Sequence, residues 1–166
     1  MIELKQLTIN DGIDIYNLLQ DIPVEENGYH NNVNGLTYEE FKEWLVKRDN
    51  YAKQSGLLDG WRVPETTFYL YVNNIPVGIG SIRHFLTDAL REVGGHIGYS
   101  ISPKYRCIGY GKEILKRLII EAKKIGIKDI LITTNLDNYA SQKVIIANGG
   151  KEVDRSSEHV HFWIYD

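Results

Sequence analysis

Tyr99-Ser-Ile-Ser-Pro-Lys-Tyr-Arg-Cys-Ile-Gly-Tyr-Gly-Lys-Glu-Ile-Leu115 is the stretch on which the fold turns. The run ending at Ile101 reads as a strand, Ser102-Pro103 as a turn and Arg106-x-x-Gly109-x-Gly111 as a glycine loop that opens a helix. Such a loop suits a phosphate. The N–H groups of the first helical turn have no intrahelical partners, and the helix dipole favours negative charge there. Gly109 and Gly111 would let the backbone approach without a Cβ in the way. The helix is expected over 110–125, with Ile114, Leu115, Leu118, Ile119, Ala122 and Ile125 as its apolar stripe. Lys112, Glu113, Lys116, Arg117, Glu121 and Lys124 form its solvated face, and Gly126 stops it.

Outward from this stretch, residues 2–8 alternate as a half-buried strand, and a helix over 13–19 ends by Pro23. Residues 21–35 read as a long loop. Thr37-Tyr-Glu-Glu40 is a capping box that opens a helix bearing Phe41, Trp44, Leu45 and Arg48. Residues 66–72 and 75–85 form a hairpin about Asn73-Asn74, 86–93 a connector, and 95–101 the strand before the loop. Ile130-Leu-Ile132 marks a strand buried on both faces. Residues 138–147 are helical, and 151–155 with 159–165 make a final hairpin. The order β-α-α-β-β-β-α-β-α-β-β predicts an α/β (α+β) fold, a mixed sheet flanked by helices.

A chain of 166 residues argues for one domain, 1–166, with its own core. The 19 basic and 22 acidic residues leave a net charge of −3, which gives no reason to expect nucleic acid as a partner and is too small to select a substrate. Cys107 is the only cysteine, so no internal disulfide can form and a reducing compartment is natural. The N-terminus lacks a signal-peptide pattern, and no apolar run reaches the ~20 residues of a membrane span. A cytoplasmic protein with no membrane partner is expected. Glu113, not Ser or Thr, follows Gly111-Lys112, so there is no P-loop, and Gly-x-Gly-x-x-Gly is absent.

The element order, with Arg106-x-x-Gly109-x-Gly111 at a strand–helix junction, resembles the GCN5-related N-acetyltransferases (GNAT). Gly94-Gly-His-Ile-Gly-Tyr-Ser-Ile-Ser-Pro103 and Asp137-Asn-Tyr-Ala-Ser-Gln-Lys-Val-Ile-Ile-Ala-Asn-Gly-Gly150 resemble a bacterial subgroup of predicted acetyltransferases, as do Arg83-His84 and Glu26-Asn27-Gly28. The resemblance implies a mostly antiparallel sheet of six to seven strands with a splayed central parallel pair. It implies acetyl-CoA as acyl donor, no metal, and a primary amine of a small molecule or peptide as acceptor. Arg106, Cys107, Ile108, Gly109, Tyr110, Gly111 and Lys112 would surround the pyrophosphate. Pantetheine would pair with backbone near Tyr99 and Ile101, with Asn138 and Ser141 beside it. Two departures stand out. Cys107 replaces a common glycine, and Ile145 replaces the tyrosine that in many relatives protonates the leaving thiolate.

A lysine-type amine, with a pKa of about 10.4, must lose a proton before it attacks. His96, Glu92 and Glu26 are the candidate bases, each with a bland alternative: an interior histidine, a solvated turn residue, a surface acid. Ser141, a relocated tyrosine or water could replace the missing acid, or no general acid is needed. Glu26, Arg83 and His84 are the candidates for facing the acceptor. His159 and His161, one residue apart without matching partners, make a poor metal site. Trp163 and Tyr165 could line an acceptor pocket or cover the sheet, while Trp44, Tyr51 and Trp61 read as core or interface. Cys107 has no defined base and reads as a loop residue. The other functional class left open is a non-catalytic acyl-CoA-binding sensor or scaffold, and a homodimer through the final hairpin has no specific feature behind it.

Overall fold

Caps and apolar alternation set most element boundaries. A computed structural model describes residues 1–58 and 62–166. It contains β1 (Ile2–Gln6), α1 (Ile13–Asp21), β2 (Glu25–Glu26), β3 (Tyr29–His30), α2 (Tyr38–Lys53), β4 (Glu65–Val72), β5 (Ile75–Arg83) and α3 (Asp88–Glu92). There follow β6 (Ile97–Ile101), a 3-10 turn (Pro103–Tyr105), α4 (Tyr110–Lys124), β7 (Ile130–Asn135), α5 (Tyr139–Ala147), β8 (Lys151–Arg155) and β9 (His159–Ile164). The capping box forms as expected. Thr37 Oγ1 accepts from the Glu40 N–H at 3.2 Å, and the Glu40 carboxylate accepts from the Thr37 N–H at 2.9 Å. Gly126, at φ +96°, ends α4 in a Schellman motif in which the Ile127 N–H reaches Ala122 O.

Two elements lie inside segments whose composition predicts only loop. The β2–β3 hairpin turns through Asn27 and Gly28 at φ 52° and 84°. Helix α3 sits in the expected connector, its first turn capped by Thr87 Oγ1 accepting from the Leu90 N–H. Both are too short to show a period, so only their turn and cap residues could announce them.

The seven main strands divide into a four-stranded sheet, β1-β4-β5-β6, and a three-stranded sheet, β7-β9-β8. Every strand pairing within them is antiparallel. No ladder joins β6 to β7 among the described residues. The sheets instead touch just before β6. There the His96 N–H donates to Leu131 O at 2.8 Å, the Leu131 N–H to His96 Nδ1 at 3.0 Å, and the Gly94 N–H to Thr133 Oγ1 at 2.8 Å. From that contact β6 and β7 run on along opposite sides of a cavity, so the strands expected in one sheet are divided between two that meet at a seam.

Helix α4 spans the seam on one face. Its Ile114, Leu115, Leu118, Ile119 and Ala122 share one core with Leu70, Val77, Ile97 and Ile101 of the first sheet and Ile130, Ile132, Phe162 and Ile164 of the second. On the first sheet's other face, Ile15, Leu18, Leu19, Phe41 and Leu45 of α1 and α2 pack on Tyr69 and Ile79. Neighbouring residues of β4, such as Phe68 and Tyr69, thus enter different cores, as strand alternation requires.

Gly95 makes the seam close. It adopts φ +61°, and a Cβ there would lie 2.4 Å from Leu131 O. Gly95→Ala therefore meets backbone strain and overpacking together. It should cost about 2–4 kcal/mol in a denaturant titration. A loss below about 0.5 kcal/mol would mean that the seam tolerates separation.

Candidate functional site

The hydrogen-bond alternation of β6 decides what faces the opening. The Arg83 N–H donates to His96 O at 2.7 Å and the Ser102 N–H to Val77 O at 2.9 Å, in one continuous register with β5. The even-numbered residues of β6 therefore bond to β5, and Ile97, Tyr99 and Ile101 turn their N–H and C=O groups toward β7. With no ladder on that side, these groups are available to an extended ligand. Ile101 O is the exception, accepting from Arg106 Nε at 2.9 Å.

The cavity between the diverging strands has a volume of about 380 Å³. Tyr99, Asn138 and Ser141 line one part of it. Arg48, Glu65 and Arg83 line another, and Asn27 to Asn32 of the β2–β3 segment cover a third. Tyr99 Oη and Ser141 Oγ are 2.8 Å apart, so one hydroxyl donates to the other. Burial raises the Tyr99 phenol above its ordinary value, while the bond to Ser141 pulls the other way. Asn138 is the N-cap of α5, its Oδ1 accepting from the Ser141 N–H at 3.3 Å. Ile145, two turns on from Asn138, is fully buried in the core and carries no polar group.

The glycine loop lies at the head of α4. Gly109 is the N-cap at φ +96°, with no side-chain cap and open space where a Cβ would be. Among the described residues no backbone hydrogen bond occupies the N–H groups of residues 107–112. Cys107 and Ile108 are exposed, as is Lys112. Cys107 adopts φ +64°, a left-handed conformation, which explains physically why glycine fits that position. The spacing placed Gly111 at the phosphate as well. A Cβ there would meet only Val144 Cγ2 of α5, at 3.6 Å, an ordinary van der Waals contact. The Arg106 guanidinium also does something the motif did not show. Nε holds Ile101 O, and both terminal nitrogens grip the Glu26 carboxylate, Nη1 to Oε2 at 3.1 Å. Glu26 is thereby a strut that ties the hairpin β2–β3 to the loop.

The other expected residues divide. Arg83 lines the cavity. His84 does not; its Nε2 lies 2.7 Å from Thr66 Oγ1 and its ring faces a separate hollow beside Trp163. His96 faces that second hollow too, and its Nδ1 is occupied by the Leu131 N–H. Desolvation, then the charges of Arg91 and Arg83, lower its pKa from 6.5 to about 4, so it stays neutral. Glu92 is exposed on α3, outside the cavity, and contributes only its carbonyl, to His161 Nε2 at 2.8 Å. His161 Nδ1 contacts Asp154 Oδ1 at 2.5 Å, a structural bridge. His30 and His159 do line the cavity, and only the topology reveals it. Trp44 lines the cavity as well, Tyr51 lies against Arg48 and Arg62, and Trp163 stacks on Tyr165; Trp61 lies outside the described residues. Among the described residues no cluster of His, Cys, Asp or Glu could hold a metal ion, and no helix is long and apolar enough to cross a membrane.

Residues 2–151 match the model of the acetyltransferase (GNAT) domain family. The uncharacterised N-acetyltransferase YfmK of Bacillus subtilis (strain 168) is 28% identical over 116 residues, which is 65% of this chain and 74% of that protein. The ribosomal-protein-S5-alanine acetyltransferase of Vibrio fischeri superposes with a TM-score of 0.74 at 17% identity, over 99% of this chain and 93% of that one. The N-acetyltransferase PseH of Campylobacter jejuni, solved with acetyl coenzyme A, gives 0.67 at 13% identity, over 100% and 99% of the two chains. At these identities the two solved structures speak to the fold.

Two measurements check the site's local physics. The lowered pKa of His96 means its contribution to stability is complete above about pH 6.5 and is lost as pH falls toward 4. The stability gap between wild type and His96→Asn should therefore shrink across that window in urea titrations. A gap independent of pH would show that the ring is not held neutral. Cys107→Gly should raise stability by about 0.5 kcal/mol, and Cys107→Val should lower it by about 1–2 kcal/mol.

Proposed function

Since the chain belongs to the acetyltransferase (GNAT) family, we propose that it transfers the acetyl group of acetyl-CoA to the primary amine of a small molecule or peptide by direct attack. Acetyl-CoA supplies the activated thioester carbonyl. The carrying observation is the juxtaposition of unbonded backbone along β6 with unbonded N–H groups at the head of α4. The N–H groups of residues 107–112 bind the pyrophosphate, aided by the dipole of α4. The Tyr99 backbone takes up a pantetheine amide as an added strand would. The Ile101 N–H, turned to the gap, is the donor for the tetrahedral oxyanion.

The hydroxyl pair Tyr99–Ser141 supplies the proton that the departing thiolate needs, in place of the tyrosine absent at Ile145. A raised phenol pKa keeps Tyr99 protonated, the state in which it can donate. For the base, His159 is the imidazole we assign, because it lines the cavity with Asn138 and Ser141, whereas His96 and Glu92 do not. Glu26 is held by Arg106, and Glu65, its pKa lowered to about 2 although burial opposes this, is too weak a base for an ammonium. One observation favours a second reading, an acyl-CoA-binding module: the buried, apolar Ile145.

Thiol release from acetyl-CoA across an amine panel separates the two. Amine-dependent release is expected; tight coenzyme A binding without release for any amine would favour the module. In the active protein, Tyr99→Phe should lower kcat by about 100-fold. The KM for acetyl-CoA should stay within about twofold, because the backbone contacts remain. The double variant Tyr99→Phe with Ser141→Ala should be little worse than the single one, since the pair acts as a unit. Unchanged kcat in Tyr99→Phe would refute the assignment.

A further inference from the structure

The charge on the far wall of the cavity does not match that of the whole chain. The described lining residues with fixed charge are Arg48, Arg62, Glu65 and Arg83, three cations against one carboxylate, in a protein of net charge −3. Arg62 can be left out of the balance and the sign holds. Arg48 Nη2 donates to Glu65 Oε1 at 2.8 Å and to Thr67 Oγ1 at 2.9 Å, with Nε also on Thr67 at 3.2 Å. Arg83 Nη1 donates to Gly94 O at 3.2 Å and Gly95 O at 3.1 Å. Its Nε lies 4.0 Å from Glu65 Oε2 and has no hydrogen-bond partner. Glu65 is thus one carboxylate between two guanidinium groups. Those charges hold its pKa near 2 despite burial, so it is ionised at any working pH and cannot neutralise both.

A surplus cation on a partly desolvated wall is costly unless a ligand completes it. Guanidinium forks match carboxylate and phosphate oxygens, and both side chains are already held in place by the contacts above. Arg48 is further braced by Trp44 and Tyr51, with its guanidinium 5.8 and 5.9 Å from their ring centres. The same wall repels a second ammonium.

Resting on the acetyl-transfer reading, we propose that the acceptor is an anionic amine, whose carboxylate or phosphate sits against Arg48 and Arg83 while its amine points toward the Tyr99–Ser141 side of the cavity. A polyamine is disfavoured by the same charges.

Matched acceptors test this: 4-aminobutyrate against butylamine, phosphoethanolamine against ethanolamine, and spermidine as the polycation. Each is followed by thiol release and by calorimetric titration into the protein's coenzyme A complex. The anionic member of at least one pair should exceed its neutral partner by 10-fold or more in kcat/KM or in affinity. The pair that discriminates tells carboxylate from phosphate. Arg83→Gln should remove that preference with coenzyme A affinity unchanged, and Arg83→Lys, which keeps the charge and is milder on the fold, should retain part of it. Spermidine or the neutral amines equalling the anionic ones overturns the assignment and leaves acetyl transfer standing. So does the absence of any anionic binding. Anionic amines that bind without thiol release uphold the assignment and overturn acetyl transfer.

Discussion

Everything functional in this molecule depends on two sheets that touch at one place and separate beyond it. The touch is made by Gly95 and His96 against Leu131. It is strong because each backbone group there has a partner, and close because Gly95 has no Cβ. It is also confined, since β6 spends its even-numbered bonds on β5 and meets no ladder on its other edge. An unpaired strand edge inside a fold is normally a liability. Here α4 packs beneath both sheets, and the edge borders the cavity, where the proposed function has extended ligand backbone bind.

That constraint explains the division of labour among the histidines. His96 has a ring suited to proton transfer, but it is consumed by the seam: its Nδ1 holds Leu131, and burial keeps it neutral. A residue that fixes the separation of the sheets cannot also face the gap they enclose. In the proposed function proton chemistry is assigned to groups on the cavity wall, the Tyr99–Ser141 hydroxyl pair and His159. Arg106 and Glu26 are linked in a similar way. Their ion pair ties the segment that covers the acceptor side to the loop that heads α4. The two ends of the site are thus joined by a side-chain contact across 80 residues of sequence.

The sequence made the strand–loop–helix unit readable because its signals are local. Strand alternation, the stripe of α4 and the Thr37 capping box each depend on neighbours a few residues away. The left-handed Cys107 was visible as a residue but not as a conformation, because its φ of +64° is set by the path of the loop into α4. The cavity wall was the least legible. Arg48, Glu65 and Arg83 come from α2, β4 and β5, and their mutual charge arises only when strand register brings them together. For the same reason the overall charge of −3 was silent about a positive cavity.

The proposed function turns on where acetyl-CoA meets the backbone. Amide-resolved NMR of the protein titrated with acetyl-CoA measures this directly. The N–H signals of Tyr99, Ile101 and residues 107–112 should shift or gain protection from exchange. Those of Gly98 and Ser100, bonded to β5, should change little. Binding that perturbs even- and odd-numbered residues of β6 alike, or that perturbs the hollow lined by His84 and His96 instead, would contradict it.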